Sequence, residues 1–196
     1  MKLRRYVVKC EGITPLLMDR MSSETLEELR TGNRAVIDKT RSKEEICKGK
    51  IYRDEEGRIA LPVQNIFAAM NGGARFIQYD TKRKLATASS TLLPLVMEIL
   101  DGEFVLLEGN LEWKPDERRG RLPNGPAISI VRPKFNDWGF TISLEIDEDE
   151  GIKFDKIREV LHKAGRAQGL CAFRPECKGN FGKFRIVSTE EVPIPA

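Results

Sequence analysis

The chain has 196 residues with a formal net charge of +3, and 40% of its residues are hydrophobic and 32% charged. That length suits one large domain, and the composition is typical of a globular protein with a heavily charged surface. Four scattered cysteines exclude a disulfide framework, and with a single histidine we expect no metal site and no cofactor.

No stretch approaches the ~20 apolar residues that a membrane-spanning helix needs. The segment at Met1–Gly12 also lacks the apolar run of a signal peptide. We therefore expect an intracellular, cytoplasmic protein with reduced thiols and no membrane partner.

The first third of the chain predicts a strand followed by a charged excursion. Leu3–Cys10 is rich in β-branched and aromatic residues and predicts a strand. Ser22 is a suitable N-cap for a short helix that runs through Leu29. Residues 31–50 are highly charged with few apolar positions, which favours a peripheral insertion, either mobile or helical.

The middle of the chain predicts a hairpin at Ile51–Leu61 and then a helix. Pro62 suits the first turn of that helix, and apolar residues at helical spacing continue it to Met70. Gly72 and Gly73 are expected to end or bend it. A loop at Asp80–Ser90, a strand at Glu103–Glu108 and an exposed loop or hairpin tip at Lys114–Pro126 are predicted next.

The last third of the chain has the clearest periodicity. Phe140–Ile146 alternates apolar and polar residues, as a half-buried strand requires. Phe154–Ala164 has one apolar face and predicts a helix, with Gly165 as its C-terminal stop. Phe184–Val187 predicts a closing strand.

These elements indicate an α+β fold, a ferredoxin-like or RRM-like antiparallel sheet with helices on one face and inserted hairpins or loops. Residues 1–196 are expected to form a single domain, with insertions near 31–50 and 114–134.

A glycine-rich segment at Gly165–Ile186 carries the strongest functional signal. Its glycines allow the backbone to approach a ligand closely, and its lysines and arginines are long cationic arms for phosphates. Phe173, Phe181 or Phe184 offers a face on which a base can stack. This combination favours a groove for single-stranded nucleic acid. The structural alternative is a tight turn in which Phe181 and Phe184 belong to the core.

Other basic runs add to this surface. Pro133 biases the residue before it towards extended backbone, so Arg132 and Lys134 are expected to point outward from one strand, while Trp138 is expected in the core. The candidate nucleic-acid contacts are Lys82, Arg83, Lys84, Arg118, Arg119, Arg121, Arg132, Lys134, Arg166, Arg174, Lys178, Gly179, Gly182, Lys183 and Arg185.

Catalytic motifs are absent from the sequence. It contains neither a phosphate-binding G-x-x-x-x-G-K-[ST] loop nor a G-x-S-x-G nucleophile motif. His162 is the one candidate general base, on the predicted helix and off its apolar face. A surface role for His162 is the favoured alternative.

Three stretches carry a family resemblance: GITPLLM at 12–18, LPVQNIFAAM at 61–70 and GNFGKFRI at 179–186. They resemble the RAMP superfamily, whose members are ferredoxin-fold RNA-binding subunits of CRISPR effector complexes. The resemblance is nearer to the backbone subunits that line up along a guide RNA than to the RNA-processing endonucleases. It implies that the proline-led segment and the glycine-rich loop lie near bound RNA. The ending also looks like that of small phage and prophage proteins.

We therefore expect non-enzymatic binding of single-stranded nucleic acid, with RNA favoured over DNA. The resemblance implies repeated subunits along the strand, by self-association or with other effector subunits. Two alternatives remain open: a phage protein that mimics or inhibits a host nucleoprotein complex, and a RAMP-type endoribonuclease that uses His162.

Overall fold

The computed structural model describes residues 2–32, 40–121 and 127–194. The strands of this part are β1 (Leu3–Gly12), β2 (Leu16–Leu17), β3 (Ala60–Pro62), β4 (Met97–Ile99), β5 (Phe104–Leu106), β6 (Trp113–Arg121), β7 (Ala127–Phe135), β8 (Gly139–Asp147) and β9 (Phe184–Val192). Its α-helices are α1 (Ser23–Thr31), α2 (Lys43–Gly49), α3 (Val63–Ala74), α4 (Leu93–Val96) and α5 (Phe154–Lys163).

The main sheet has four antiparallel strands in the order β4-β8-β1-β9. Helix α3 lies in the chain between β1 and β4, and α5 lies between β8 and β9. This succession of strand, helix, two strands, helix and strand is the ferredoxin-like arrangement, so the predicted fold class is confirmed.

The core lies between this sheet and the two helices. Phe140, Ile142, Leu144 and Ile146 of β8 are fully buried while the residues between them are half-buried, because successive side chains of a strand point to opposite faces. The buried residues of the helices meet them: Ile66 and Met70 from α3, and Ile157, Val160 and Leu161 from α5. Trp138 is 2% exposed, as expected of a core residue.

The prediction for Gly165 was wrong, whereas α3 ends close to Gly72 and Gly73, as predicted. Gly165 does not end the second long helix, because α5 continues into a π-helical turn at Ala164–Gln168 and Gly169, at φ 72°, follows that turn. Gly72 and Gly73 lie in the last turn of α3, which ends at Ala74. Both lie where α3 contacts the end of α5: a Cβ on Gly73 would lie 2.5 Å from the Val160 carbonyl oxygen.

A second sheet, in the order β2-β7-β6, stands beside the first. Its strand β6 occupies most of the stretch in which we expected a loop, and it pairs with β7 from Trp113 to Arg121. The predicted tip of this hairpin at 122–126 lies outside the described residues. The strand predicted at Glu103–Glu108 is shorter. It pairs with β3, and beyond its end Glu108 forms a single antiparallel bridge with Gly139 of β8.

The N-terminal helix prediction is confirmed, since the Ser22 side chain accepts a hydrogen bond from the Thr25 backbone N–H at the start of α1. Part of the expected insertion at 31–50 is helix α2, whose Lys43 pairs with Glu117 of β6 at 2.5 Å. Residues 33–39 lie outside the described part. Within the described residues, no helix combines the length and apolar character that crossing a membrane requires.

Candidate nucleic-acid interface

The glycine-rich loop that follows α5 lies against the segment between β1 and β2. The Ile13 N–H donates to the Lys183 carbonyl at 2.7 Å, and the Gly182 N–H donates to the Pro15 carbonyl at 2.9 Å. The Ala172 N–H donates to the Leu17 carbonyl at 2.9 Å. Two of the stretches that carry the family resemblance are therefore joined by backbone hydrogen bonds, although they are distant in sequence.

The third stretch, at the start of α3, meets the loop across a cavity of about 470 Å³. Asn65 and Ala68 line the cavity from α3, Tyr52 lines it from the hairpin, and Arg132 lines it from β7. The loop closes another side with Gly169 and with residues 171–174, 176 and 177. The stretch at 61–70 thus faces residues 169–177 of the loop across the cavity, and the stretch at 12–18 is joined to the same loop by backbone hydrogen bonds.

Backbone strain is concentrated in this loop. Cys171, Phe173 and Lys178 are the non-glycine residues with positive φ in the described chain, at 60°, 51° and 61°. Such conformations cost about 1–3 kcal/mol each and cluster at functional sites. The glycines serve the same turns: a Cβ on Gly179 would lie 1.7 Å from the Phe173 carbonyl oxygen.

Arginines of the second sheet cover two of the loop's aromatic rings. The Arg118 guanidinium lies 4.5 Å from the Phe181 ring centroid, and that of Arg132 lies 4.7 Å from the Phe173 centroid. Phe184 is 1% exposed and packs edge-on against Phe140 in the core, so it offers no face for a base. The structural alternative therefore holds for Phe184.

Most cations of this region already have an acidic partner. Arg118 pairs with Asp116 at 2.5 Å, and Lys134 lies 3.6 Å from the same carboxylate. Arg174 pairs with Glu176 at 2.8 Å, and the Arg185 Nε donates to Glu11 at 2.6 Å. Hydrogen bonding from Arg118 lowers the pKa of Asp116 below its ordinary 3.8, so this carboxylate is ionised at neutral pH.

We expected Arg132 to point outward, but its side chain is largely buried. Its side chain is 13% exposed and pairs with Asp19 at 2.6 Å, and Asp19 also pairs with Lys50 at 3.0 Å. Arg132 and Lys134 share one face of β7 because side chains two residues apart in a strand point the same way. Both contribute to the site as members of ion-pair clusters.

Arg166 and Lys178 are different, because both are exposed and neither has an ion-pair partner among the described residues. The Lys183 ammonium contacts the Asn180 side chain, and its backbone N–H donates to the Thr14 hydroxyl at 3.0 Å. Among the described residues, no carboxylate neutralises Arg166, Lys178 or Lys183, and of the three only Lys183 has its ammonium held by a side chain, that of Asn180.

Some predicted contacts lie elsewhere. Lys82, Arg83 and Lys84 follow Gln78, whose carbonyl accepts from Lys156 near the start of α5. The glycine-rich loop follows the other end of that helix, whose ten residues span about 15 Å at 1.5 Å each.

The arginines of β6 divide between the faces of the hairpin. Arg119 points away from Arg118, towards the face on which Glu117 contacts α2, because neighbouring side chains of a strand alternate. The backbone of Arg121 ends β6, so this residue lies at the far end of the strand from Trp113.

His162 is exposed in the last turn of α5 and lines a different, shallow groove together with Arg158, Lys163 and the first part of β9. It is not among the residues that line the cavity.

Sequence reasoning missed four polar residues of the cavity: Asp19, Tyr52, Asn65 and Glu176. Asp19 directly follows the stretch GITPLLM, and Asn65 lies within LPVQNIFAAM, so a close reading of those stretches could have found both. Tyr52 gave no such signal, because its place depends on how the hairpin packs against α3.

No protein-family model matches the chain, and no curated protein matches it in sequence. Among solved structures it is similar to a chain in the cryo-EM structure of the Type III-B Cmr-beta bound to cognate target RNA, with a TM-score of 0.53 and 13% sequence identity. The similarity covers 97% of this chain and 61% of that chain, so this chain spans less than two thirds of that chain's length. At this identity the likeness shows the fold.

Proposed function

We propose that this protein binds single-stranded RNA without cleaving it, as one of several subunits along the strand. The observation that carries the proposal is the meeting of the three stretches around one strained, cationic loop. The similar fold in an RNA-bound Type III-B Cmr-beta structure supports RNA as the ligand.

Phosphate neutralisation supplies the affinity. Arg166 and Lys178 contact phosphates first, because among the described residues they have no ion pair with a carboxylate that would have to break. The paired cations Arg118, Arg174 and Lys134 contribute by exchanging a carboxylate for a phosphate, which offsets part of the gain. Contacts to the sugar–phosphate backbone carry no base information, so this part of the interface accepts many sequences.

The test compares two double variants at opposite ends of α5. Arg166→Gln with Lys178→Gln removes the unpaired cations at the loop, and Lys82→Gln with Lys84→Gln removes the same charge at the other end. We expect the first to weaken binding of a uridine oligonucleotide severalfold by fluorescence anisotropy, and the second to change it less than twofold. Equal weakening by both variants would place the interface elsewhere. Unfolding midpoints identify any variant that fails to fold.

Absence of cleavage is tested with the same RNA. We expect the labelled strand to stay intact on a denaturing gel after long incubation with excess protein. Cleavage by the wild-type protein that disappears in His162→Ala would replace this proposal with the endoribonuclease.

A further inference from the structure

The cavity beside the glycine-rich loop has the size and walls of a small-molecule site. Its volume of about 470 Å³ lies within the range of ~300–1,000 Å³ that is usual for ligand pockets. Ala68 and Ala69 leave space on the α3 side, and Tyr52 and Phe173 add aromatic surface. The cavity can therefore take one planar ring system together with part of its attached sugar.

Arg132 shows what the ligand must offer on one edge. Its Nε and Nη2 both contact Asp19 at 2.6 Å, whereas its Nη1 is buried and has no hydrogen-bond partner among the described residues. A buried donor without an acceptor is unfavourable and rare. The guanidinium also lies over the Phe173 ring, with Cζ 4.7 Å from the ring centroid, so it is held by this ring as well as by Asp19. Arg132, which lines the cavity, thus carries a donor that lacks an acceptor among the described residues.

Carboxylates on the same cavity show what the ligand must offer on another edge. Asp19 and Glu176 both line it, and a carboxylate is an acceptor only. Arg174 lies on this wall too and pairs with Glu176 at 2.8 Å, so a phosphate group would reach the wall only by displacing that carboxylate from Arg174. A ligand with acceptors on one edge and N–H donors on the next matches both walls.

Guanine has this pattern. Its O6 and N7 are acceptors for which arginine is the commonest partner, and its N1–H and N2–H₂ groups are donors on the adjacent edge. Adenine places an amino donor where guanine has O6, so it would set a donor against Arg132. Unstacked bases of single-stranded RNA are read in this way, by hydrogen bonds to their edges and by stacking on aromatic or guanidinium planes.

We propose that this cavity binds one unstacked guanine of the RNA strand, with Arg132 on its O6/N7 edge and Glu176 on its donor edge. The inference rests on the proposed RNA binding. It adds a point of base recognition to an interface whose backbone contacts do not read sequence.

The test uses twelve-nucleotide uridine strands that carry G, A or U at one central position. We expect the wild-type protein to bind the G strand about tenfold more tightly than the A or U strand. Glu176→Gln and Arg132→Lys should each lose that preference, measured for each variant as the ratio of its own affinities for the G strand and for the all-uridine strand. Glu190→Gln, an exposed site on β9, is the matched control and should keep the preference. Glu176 is exposed, so its variant decides the matter if Arg132→Lys fails to fold.

Equal binding of the G, A and U strands would overturn the guanine site and leave the proposed function intact. If no strand binds, the proposed function fails, and GMP alone then tests the cavity. Cys177 lies on the cavity and is exposed, so its alkylation by iodoacetamide reports occupancy. Slower alkylation with GMP than with AMP supports the site. Equal rates with both nucleotides overturn it.

Discussion

Gly182 adopts a φ of 66°, and a Cβ on it would lie 2.0 Å from the Leu170 carbonyl oxygen. From the sequence, the loop glycines suggested close approach to phosphate. Their contacts show first that the turn itself requires them, because backbone atoms fill the space that a side chain would take. A glycine variant of this loop therefore reports stability before it reports binding.

Gly182→Ala should lower the free energy of unfolding by about 2–4 kcal/mol, because backbone strain adds to a clash with main-chain atoms. Gly57→Ala is the matched control, since Gly57 has a φ of 81° but nothing within 4 Å of the added Cβ. It should cost only about 1 kcal/mol. Urea denaturation followed by circular dichroism measures both, and equal losses would contradict the proposed clash.

The cysteines of the loop should react very differently. Burial raises the pKa of the Cys171 thiol to about 12, so almost no thiolate is present near pH 8, whereas Cys177 is exposed. Alkylation with iodoacetamide at pH 8, followed by peptide mass spectrometry, should label Cys177 well before Cys171. Labelling of both at similar rates would show that the loop opens readily in solution.

At the level of elements, the contact between α3 and α5 depends on small residues. A Cβ on Gly73 would lie 2.5 Å from the Val160 carbonyl oxygen and 2.7 Å from the Ala164 nitrogen. Gly73→Ala should therefore force the helices apart and cost about 1–3 kcal/mol. Gly49→Ala in α2 meets nothing within 4 Å and should be neutral or slightly stabilising. The midpoints of thermal unfolding of the two variants test this prediction. A Gly73→Ala variant as stable as wild type would contradict it.

The elements that the sequence predicted well are those with one buried face. β8 and α5 show their periods plainly, because burial alternates along β8 and recurs along one side of α5. β4 has three residues, too few to show a period. β6 contains Pro115 and many charges, so it looks like a loop, and only its pairing with β7 makes it a strand.

The segments that form the candidate site could be predicted from the sequence, but the side-chain contacts between them could not. Glycines and cations in the last third of the chain indicated the loop at 165–186, and its role in binding stays a prediction. The pairing of Arg132 with Asp19 joins residues 113 positions apart, and no local pattern reveals such a contact. The same holds for the position of Lys82–Lys84, which composition alone could not separate from the other basic runs.

At the scale of the whole molecule, a net charge of +3 conceals extensive internal pairing. If only Arg166 and Lys178 contact phosphates freely, the logarithm of the binding constant should fall with the logarithm of salt with a slope of about −1.4. A polycationic groove with many free arginines would give a much steeper line.

Asp116→Asn should change the salt dependence of RNA binding. It removes the carboxylate that Arg118 and Lys134 share, so RNA binding should tighten at low salt and the slope should steepen towards about −3. Glu117→Gln removes the same charge from the opposite face of β6 and should leave the slope unchanged. Anisotropy titrations across a salt series measure both. If the two variants shift the slope equally, the effect comes from net charge and not from the released cations.

The position of β1 at the centre of the main sheet also governs how the protein acquires its fold. β1 pairs with β8 on one side and β9 on the other, with Leu3 opposite Asp147 and Arg5 opposite Val192. The entropy of closing such long loops must be overcome before these pairings stabilise anything, so refolding should be slow for a domain of this size. A fragment that ends before Phe184 would leave one side of β1 as an open edge, along which other chains can add. We expect such fragments to aggregate. Light scattering should rise in a solution of the fragment and stay constant in a solution of the intact protein.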